Sequence, residues 1–130
     1  MKFFRNMLLV SCFLFVSNNA FSQTYWGAVY IDLNTGIFGG AYDAQSEYYA
    51  KDTALKSCQN KHSGKKNNCE LLITFYNGCV SVYWAPNKKA GWGFNSVDAY
   101  SARVHAVQRC ANSGGKECSE VLFLCTTRYY

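Results

Sequence analysis

Small residues recur at every fourth position in two stretches of the chain. Residues four apart share one face of an α-helix, so the two stretches predict helices near 47–59 and 99–111. Small side chains on this face favour close packing of each helix against a sheet. The repeated positions are Ala50, Ala54 and Cys58 in the first stretch and Ala102, Ala106 and Cys110 in the second.

Polar residues border both stretches at an offset of 52 residues. Ser46 and Asp98 precede them and are good N-cap residues. Asn60 and Asn112 follow them and are candidates for the left-handed residue that ends many helices. The two helices are therefore predicted to be equivalent parts of an internal repeat.

Strand patterns surround each helix. Alternation places Trp26, Ala28 and Tyr30 on one strand face and Val29 and Ile31 on the other. A similar segment recurs 53 residues later, and each copy begins a predicted β-hairpin. The hairpin turns are predicted at 32–36 and 86–89, and apolar strands follow the helices at 69–76 and 118–127.

The predicted fold class is α+β, with a mostly antiparallel sheet and two helices. Two β-β-α-β pseudo-repeats, about 25–78 and 79–127, are expected to share one core, because neither has enough residues to bury one alone. Between them, Asn77-Gly78 is a strong two-residue hairpin signal. Residues 23–130 are thus predicted to be one disulfide-rich domain.

Residues 1–22 are predicted to be a secretory signal peptide. Lys2 and Arg5 precede an apolar segment at 7–16, which is too short to span a bilayer, and small residues precede a cleavage site before Gln23. The mature chain is therefore expected to be exported, to the periplasm or the medium, and to have no transmembrane segment.

A lipobox is the alternative interpretation of this leader. Residues 9–12 resemble one, and in that case Cys12 would carry a lipid anchor. The apolar run continues at 13–16, and the segment before Cys12 is short, so ordinary cleavage is favoured.

The remaining six cysteines predict disulfides, as an even number does in a small exported chain. Fifteen pairings are possible. Equivalent positions in the two repeats favour two local bridges, and the third pair is expected to tie the halves together. The predicted bridges are Cys58–Cys69, Cys110–Cys118 and Cys79–Cys125.

These motifs together resemble the bacterial secreted family DUF4189. They are the Trp-Gly-Ala start at 26–28, the Gly-rich segments at 39–41 and 91–93, and the Ala-rich helices that end in cysteine. The resemblance covers Tyr25 to Cys125. It implies an exported bacterial domain of duplicated hairpin-plus-helix units, and it carries over no catalytic residues.

Neither metal binding nor catalysis is predicted. The chain lacks Cys-x-x-Cys and His-x-x-x-His spacings, and no cofactor motif is present. Small nucleases often use two histidines as acid and base, but His62 falls in a polar loop and His105 aligns with Thr53, so both are interpreted as solvated. No pair of carboxylates stands out as a hydrolase site.

Charge and aromatic content favour a protein partner. Losing Lys2 and Arg5 with the leader lowers the net charge from +5 to +3, which argues against specific nucleic-acid binding. The chain has ten Tyr and three Trp, more large rings than a domain of this size buries, and interfaces favour these residues.

A hairpin with a basic tip between two indoles is the predicted binding surface. The alternative is that both indoles belong to the core. The predicted surface comprises Trp84, Asn87, Lys88, Lys89 and Trp92.

The predicted function is that of an exported, non-enzymatic protein-binding domain, with an inhibitor or immunity-type protein of the bacterial envelope as one form. Two alternatives remain open. One is a secreted effector enzyme, either a ribonuclease or a cell-wall hydrolase. A cleft that pairs a histidine with a carboxylate or lysine would favour this alternative. The other is a structural component of the envelope or cell surface.

Overall fold

A computed structural model describes residues 24–126. The predicted leader and Cys12 lie outside the described residues. Within the described residues, six strands and two helices follow in the order β-β-α-β, twice. Their bounds are β1 Trp26–Ile31, β2 Phe38–Ala44, α1 Glu47–Asn60, β3 Glu70–Tyr76, β4 Cys79–Ala85, β5 Lys89–Asn95, α2 Ala99–Asn112 and β6 Ser119–Cys125.

Each repeat forms its own antiparallel sheet of three strands. The first sheet has the order β2-β1-β3 and the second has the order β5-β4-β6. Helix α1 packs on the first sheet and α2 on the second, while β2 contacts β6 and β3 contacts β5. The layers are therefore helix, sheet, sheet and helix, which confirms the predicted α+β fold with two β-β-α-β units.

The core lies between the two sheets and draws on both repeats. Val29 and Ile31 from β1 meet Val80 and Val82 from β4, and Phe75 from β3 completes the buried cluster. Ala28, on the opposite face of β1, packs against α1 instead. The alternation predicted for β1 is confirmed, because its two faces enter different layers.

Small residues bring each helix close to its sheet. A side chain at Gly39 would overlap the backbone of Ala54 and Cys58 in α1, and one at Gly91 would overlap the backbone of Cys110 in α2. The predicted stripes of small residues thus face small residues of the sheets. This close contact leaves the larger side chains for the core between the sheets.

The helices begin where they are predicted to begin but end differently. The Ser46 side chain accepts a hydrogen bond from the Tyr49 N–H, and Asp98 accepts one from Tyr100. Asn60 and Asn112 are the last helical residues rather than left-handed residues beyond the helices, so that prediction is wrong. Left-handed conformations come later in each loop, at the Ser63, Gly64 and Gly114 positions.

Asn77-Gly78 does not form the predicted hairpin. Strand β3 pairs with β1, and β4 pairs with β5 and β6, so this dipeptide carries the chain from one sheet to the other. Asn77 has a positive φ of 48° and bonds to Tyr25 through both its backbone N–H and its side-chain oxygen. Asn77-Gly78 links the two sheets instead of forming a hairpin, because β3 and β4 each pair with other strands.

The structure contains the three disulfides that the repeat favours, Cys58–Cys69, Cys110–Cys118 and Cys79–Cys125. The first two join the end of a helix to the following loop. The expectation that the third ties the repeats together is wrong, because Cys79 in β4 and Cys125 in β6 face each other within the second sheet. The repeats are instead joined through the apolar core.

Candidate functional site

The two sheets meet through aliphatic side chains along one side and through aromatic rings along the other. A Cβ atom at Gly40 of β2 would lie 3.2 Å from Leu124 and 3.5 Å from Leu122 of β6. On the opposite side, β5 places the large rings of Trp92 and Phe94 toward β3. These rings border an opening between β3 and β5.

An aromatic groove of about 770 Å³ occupies this opening. It lies between the edge strands of the two sheets, so both repeats contribute to it. We call it the aromatic groove. Its lining residues are Trp26, Glu47, Ile73, Thr74, Phe75, Tyr76, Asn77, Trp92, Phe94 and Ser96.

The aromatic rings of the groove support one another. Trp26 and Tyr76 face each other across β1 and β3, with ring centroids 5.1 Å apart. Phe75 and Phe94 reach across the two sheets, with centroids 6.0 Å apart. Tyr76 remains 55% exposed. The groove thus offers large apolar rings to solvent on a frame of paired strands.

Charged side chains near the groove interact with neighbouring residues. Glu47 pairs with Lys51 one helical turn away, at 3.2 Å. The Arg109 guanidinium lies over the Trp92 ring, 4.0 Å from its centroid, and donates a hydrogen bond to the Trp92 carbonyl. The groove is therefore mainly apolar, with one acidic and one basic group near it.

Trp92 is the one member of the predicted hairpin surface that lines the groove. Trp84 is partly buried against the core, and its indole N–H donates to the Leu33 carbonyl at 2.9 Å. Gly36 leaves room for the Trp84 ring, because a Cβ atom there would lie 2.8 Å from it. The two indoles therefore make different contacts: Trp84 bonds to the first repeat, and Trp92 lines the groove.

The tip of that hairpin is partly structural. The Asn87 amide donates to the Gly114 carbonyl at 2.8 Å and accepts from the Lys116 N–H at 3.0 Å, which ties the tip to the loop after α2. Lys88 and Lys89 are exposed. Their charges remain at the surface beside this anchored turn.

A second polar cluster lies at the equivalent turn of the first repeat. Nε2 of His62 is 3.0 Å from Oδ2 of Asp32, and Nδ1 is 2.9 Å from the Cys58 carbonyl. Both Asp32 and His62 are buried. The expectation of a solvated His62 is therefore wrong, whereas His105 is exposed on α2.

Hydrogen bonds hold Asp32 in its charged form. Burial acts to raise the pKa of Asp32. Hydrogen bonds from the backbone N–H groups of Asn68 and Asn34 and from the His62 ring lower it by more, so the pKa lies below its ordinary value of 3.8. Each ring nitrogen of His62 faces an acceptor. Each of these hydrogen bonds requires a proton on the ring nitrogen concerned.

This cluster adjoins a disulfide. Sγ of Cys69 lies 3.9 Å from Nδ1 of His62, and the donor atoms of Cys58, Cys69 and His62 all lie within 4.8 Å of one another. Thiolates and imidazole are zinc ligands. Here the sulfurs are bonded to each other, so the cluster is a disulfide beside the buried contact of His62 with Asp32.

Comparison with protein-family profiles matches residues 26–125 to DUF4189, a domain of unknown function. The chain belongs to the DUF4189 family. Neither the curated proteins nor the solved structures gave a significant match. Within residues 24–126, the helices of this DUF4189 domain are not long and apolar enough to cross a membrane.

Two features of this DUF4189 domain were not predicted from sequence. The aromatic groove had a usable signal, because Trp26 and Tyr76 occupy the repeat positions of Cys79 and Cys125. The contact of Asp32 with His62 had none, since the two residues are 30 positions apart and neither belongs to a motif.

Proposed function

We propose that this DUF4189 domain is an exported, non-enzymatic binding domain that holds an extended segment of another protein in the aromatic groove. The observation that carries this proposal is the groove itself, an aromatic opening between edge strands from both repeats. An inhibitor or immunity-type protein is one concrete form of this function. Three disulfides support export, because such bridges persist in oxidising compartments.

An extended segment fits the groove for two reasons. Within residues 24–126, β3 pairs only with β1, so its outer backbone groups are available to a further strand. Alternate side chains of such a strand would point toward Trp26 and Tyr76 and toward the rings of β5. Backbone hydrogen bonds would then supply affinity, and the aromatic pockets would supply specificity.

The effector-enzyme alternative has one observation in its favour, the contact of His62 with Asp32. Their side chains are only 6% and 4% exposed, so a dissolved substrate does not reach them. This burial favours binding over hydrolysis. Assay of RNA and peptidoglycan cleavage by wild type and by His62→Gln tests it directly, and activity that disappears in the variant would restore the alternative.

A library of displayed linear peptides provides the test of groove binding. Peptides selected on the wild-type domain are measured against Trp26→Ala and Tyr76→Ala, and each substitution is expected to weaken binding roughly 30-fold, as loss of a central aromatic anchor does. Tyr100→Ala is the matched control, because Tyr100 is 72% exposed on α2 and does not line the groove. Equal effects of Tyr76→Ala and Tyr100→Ala would contradict the proposal.

A stapled variant separates loss of the groove from loss of the fold. Trp26 and Tyr76 are direct partners across β1 and β3, as Cys79 and Cys125 are across β4 and β6. The double variant Trp26→Cys/Tyr76→Cys is expected to form a fourth disulfide and to remain folded, because it copies the second repeat. It should not bind the selected peptides. Export is checked independently by finding an N-terminus at Gln23 in protein from the periplasm or medium.

A further inference from the structure

The two helix-to-loop disulfides form a natural matched pair. Cys58 and Cys110 end equivalent helices and are fully buried, whereas Cys69 and Cys118 are partly exposed in the following loops. Their surroundings differ. His62 adjoins the first bridge and aligns with Gly114 in the second repeat, where Gly115 lies against both sulfurs. The first bridge also spans 11 residues and the second spans 8.

His62 lies close enough to the first bridge to donate a proton to a sulfur that leaves it. Its Nδ1 is 3.9 Å from Sγ of Cys69, and a ring nitrogen of His62 lies within 4.8 Å of Sγ of Cys58. Asp32 holds Nε2 at 3.0 Å, which orients the ring, and the Cys58 carbonyl lies 2.9 Å from Nδ1 as an acceptor for its proton. A thiolate formed here would therefore meet an N–H donor.

We propose that Cys58–Cys69 is a redox-active disulfide that exchanges with external dithiols, with His62 as the proton donor to the leaving sulfur. This role is separate from binding in the aromatic groove, which lies elsewhere on the domain. The partly exposed Cys69 receives the attack, because Cys58 is fully buried.

The exchange proceeds in two steps. A thiolate of the dithiol attacks Sγ of Cys69, a new sulfur–sulfur bond forms, and the bond to Cys58 breaks. The Cys58 sulfur leaves with the electron pair and takes a proton from Nδ1 of His62. The second thiol of the dithiol then attacks the dithiol sulfur of the mixed disulfide, and its bond to Cys69 breaks. The Cys69 sulfur leaves with the electron pair and takes up the proton that the second thiol gives up, while His62 regains a proton from water. The dithiol is oxidised to its disulfide, and the protein disulfide is reduced to two thiols.

The test compares two bridges in one folded protein. Native domain is treated with reduced dithiothreitol, quenched with acid, alkylated and mapped by mass spectrometry over time. Cys58–Cys69 is expected to open about 100-fold faster than Cys110–Cys118, the lower end of general acid catalysis. Equal rates in the wild type would overturn the proposal. In urea, where the pocket is lost, the two rates are expected to converge.

His62→Gln removes the imidazole and leaves the lysines of the same loop in place, so any change in rate is due to the histidine. It is expected to lower the Cys58–Cys69 rate to that of Cys110–Cys118, and an unchanged rate would overturn the role of His62. The second bridge reports unfolding, because opening of the whole domain would accelerate both bridges. Asp32→Asn is the second variant and is expected to slow the first bridge alone. If neither variant folds, the wild-type comparison decides.

Discussion

The first repeat places aromatic rings where the second repeat places a disulfide. Trp26 and Tyr76 are partners at the ends of β1 and β3, and Cys79 and Cys125 are partners at the same positions of β4 and β6. One backbone arrangement thus carries a covalent clamp in one half and an exposed aromatic pair in the other. At these positions the second half has a disulfide, whereas the first half supplies an aromatic pair to the groove.

The repeats also differ in how they fix the loop after the helix. In the first, a buried Asp32 carboxylate bonds to His62 and to the Asn68 N–H. In the second, an exposed Asn87 amide bonds to the Gly114 carbonyl and the Lys116 N–H. The connection between turn and loop therefore uses a buried carboxylate in one half and an exposed neutral amide in the other.

The largest expected effect breaks the covalent clamp of the second repeat. Replacing Cys79 and Cys125 by Ala should lower the free energy of unfolding by about 4 kcal/mol, because the bridge closes the longest loop, with a sequence separation of 46. Replacing Cys110 and Cys118, separated by 8, should lower it by about 2.5 kcal/mol. Urea unfolding of the two variants measures both values, and a reversed order would contradict the loop-length argument.

The next effect compares the two loop anchors. Asp32→Ala should cost about 3 kcal/mol of unfolding free energy, because it leaves His62 buried without its partner. Asn87→Ala should cost about 1 kcal/mol, since water replaces its hydrogen bonds at the surface. Urea unfolding at pH 7 measures both. Equal losses of unfolding free energy would show that the buried pair stabilises the domain no more than the exposed Asn87 anchor does.

The smallest effect is the pH dependence that Asp32 gives to the first repeat. Its folded-state pKa is lowered, so its contribution is fully present above the ordinary value of 3.8 and is lost as the pH falls through the folded pKa. Urea midpoints between pH 6 and pH 2 should therefore decline less steeply in Asp32→Asn than in wild type.

Asp98 provides the control for this pH series. Its pKa is also lowered, by hydrogen bonds from Ser101 and the Tyr100 N–H, but it is exposed at the start of α2. Solvent and salt screen such a group, so Asp98→Asn should flatten the curve less than Asp32→Asn. Superimposable curves for wild type and Asp32→Asn would show that Asp32 contributes nothing to acid stability.

The sequence alone determined the repeat, the α+β class and the helix starts. Residues four apart on a helix and two apart on a strand must share a face, so Ala50 and Ala54 identify one packing surface and Val29 and Ile31 another. Equivalent cysteines in equivalent units likewise favoured the pairing that the structure contains. These features are local or repeated, so the order of residues along the chain is enough to predict them.

Only the tertiary structure decided how the two units meet. Asn77-Gly78 has hairpin chemistry, yet it joins two sheets, because each flanking strand is paired elsewhere. The placement of Trp92 and Phe94 beside β3, and the approach of His62 to Asp32, depend on how separate segments pack in three dimensions. The groove and the buried pair follow from distances between residues far apart in the chain, which periodicity and composition do not encode.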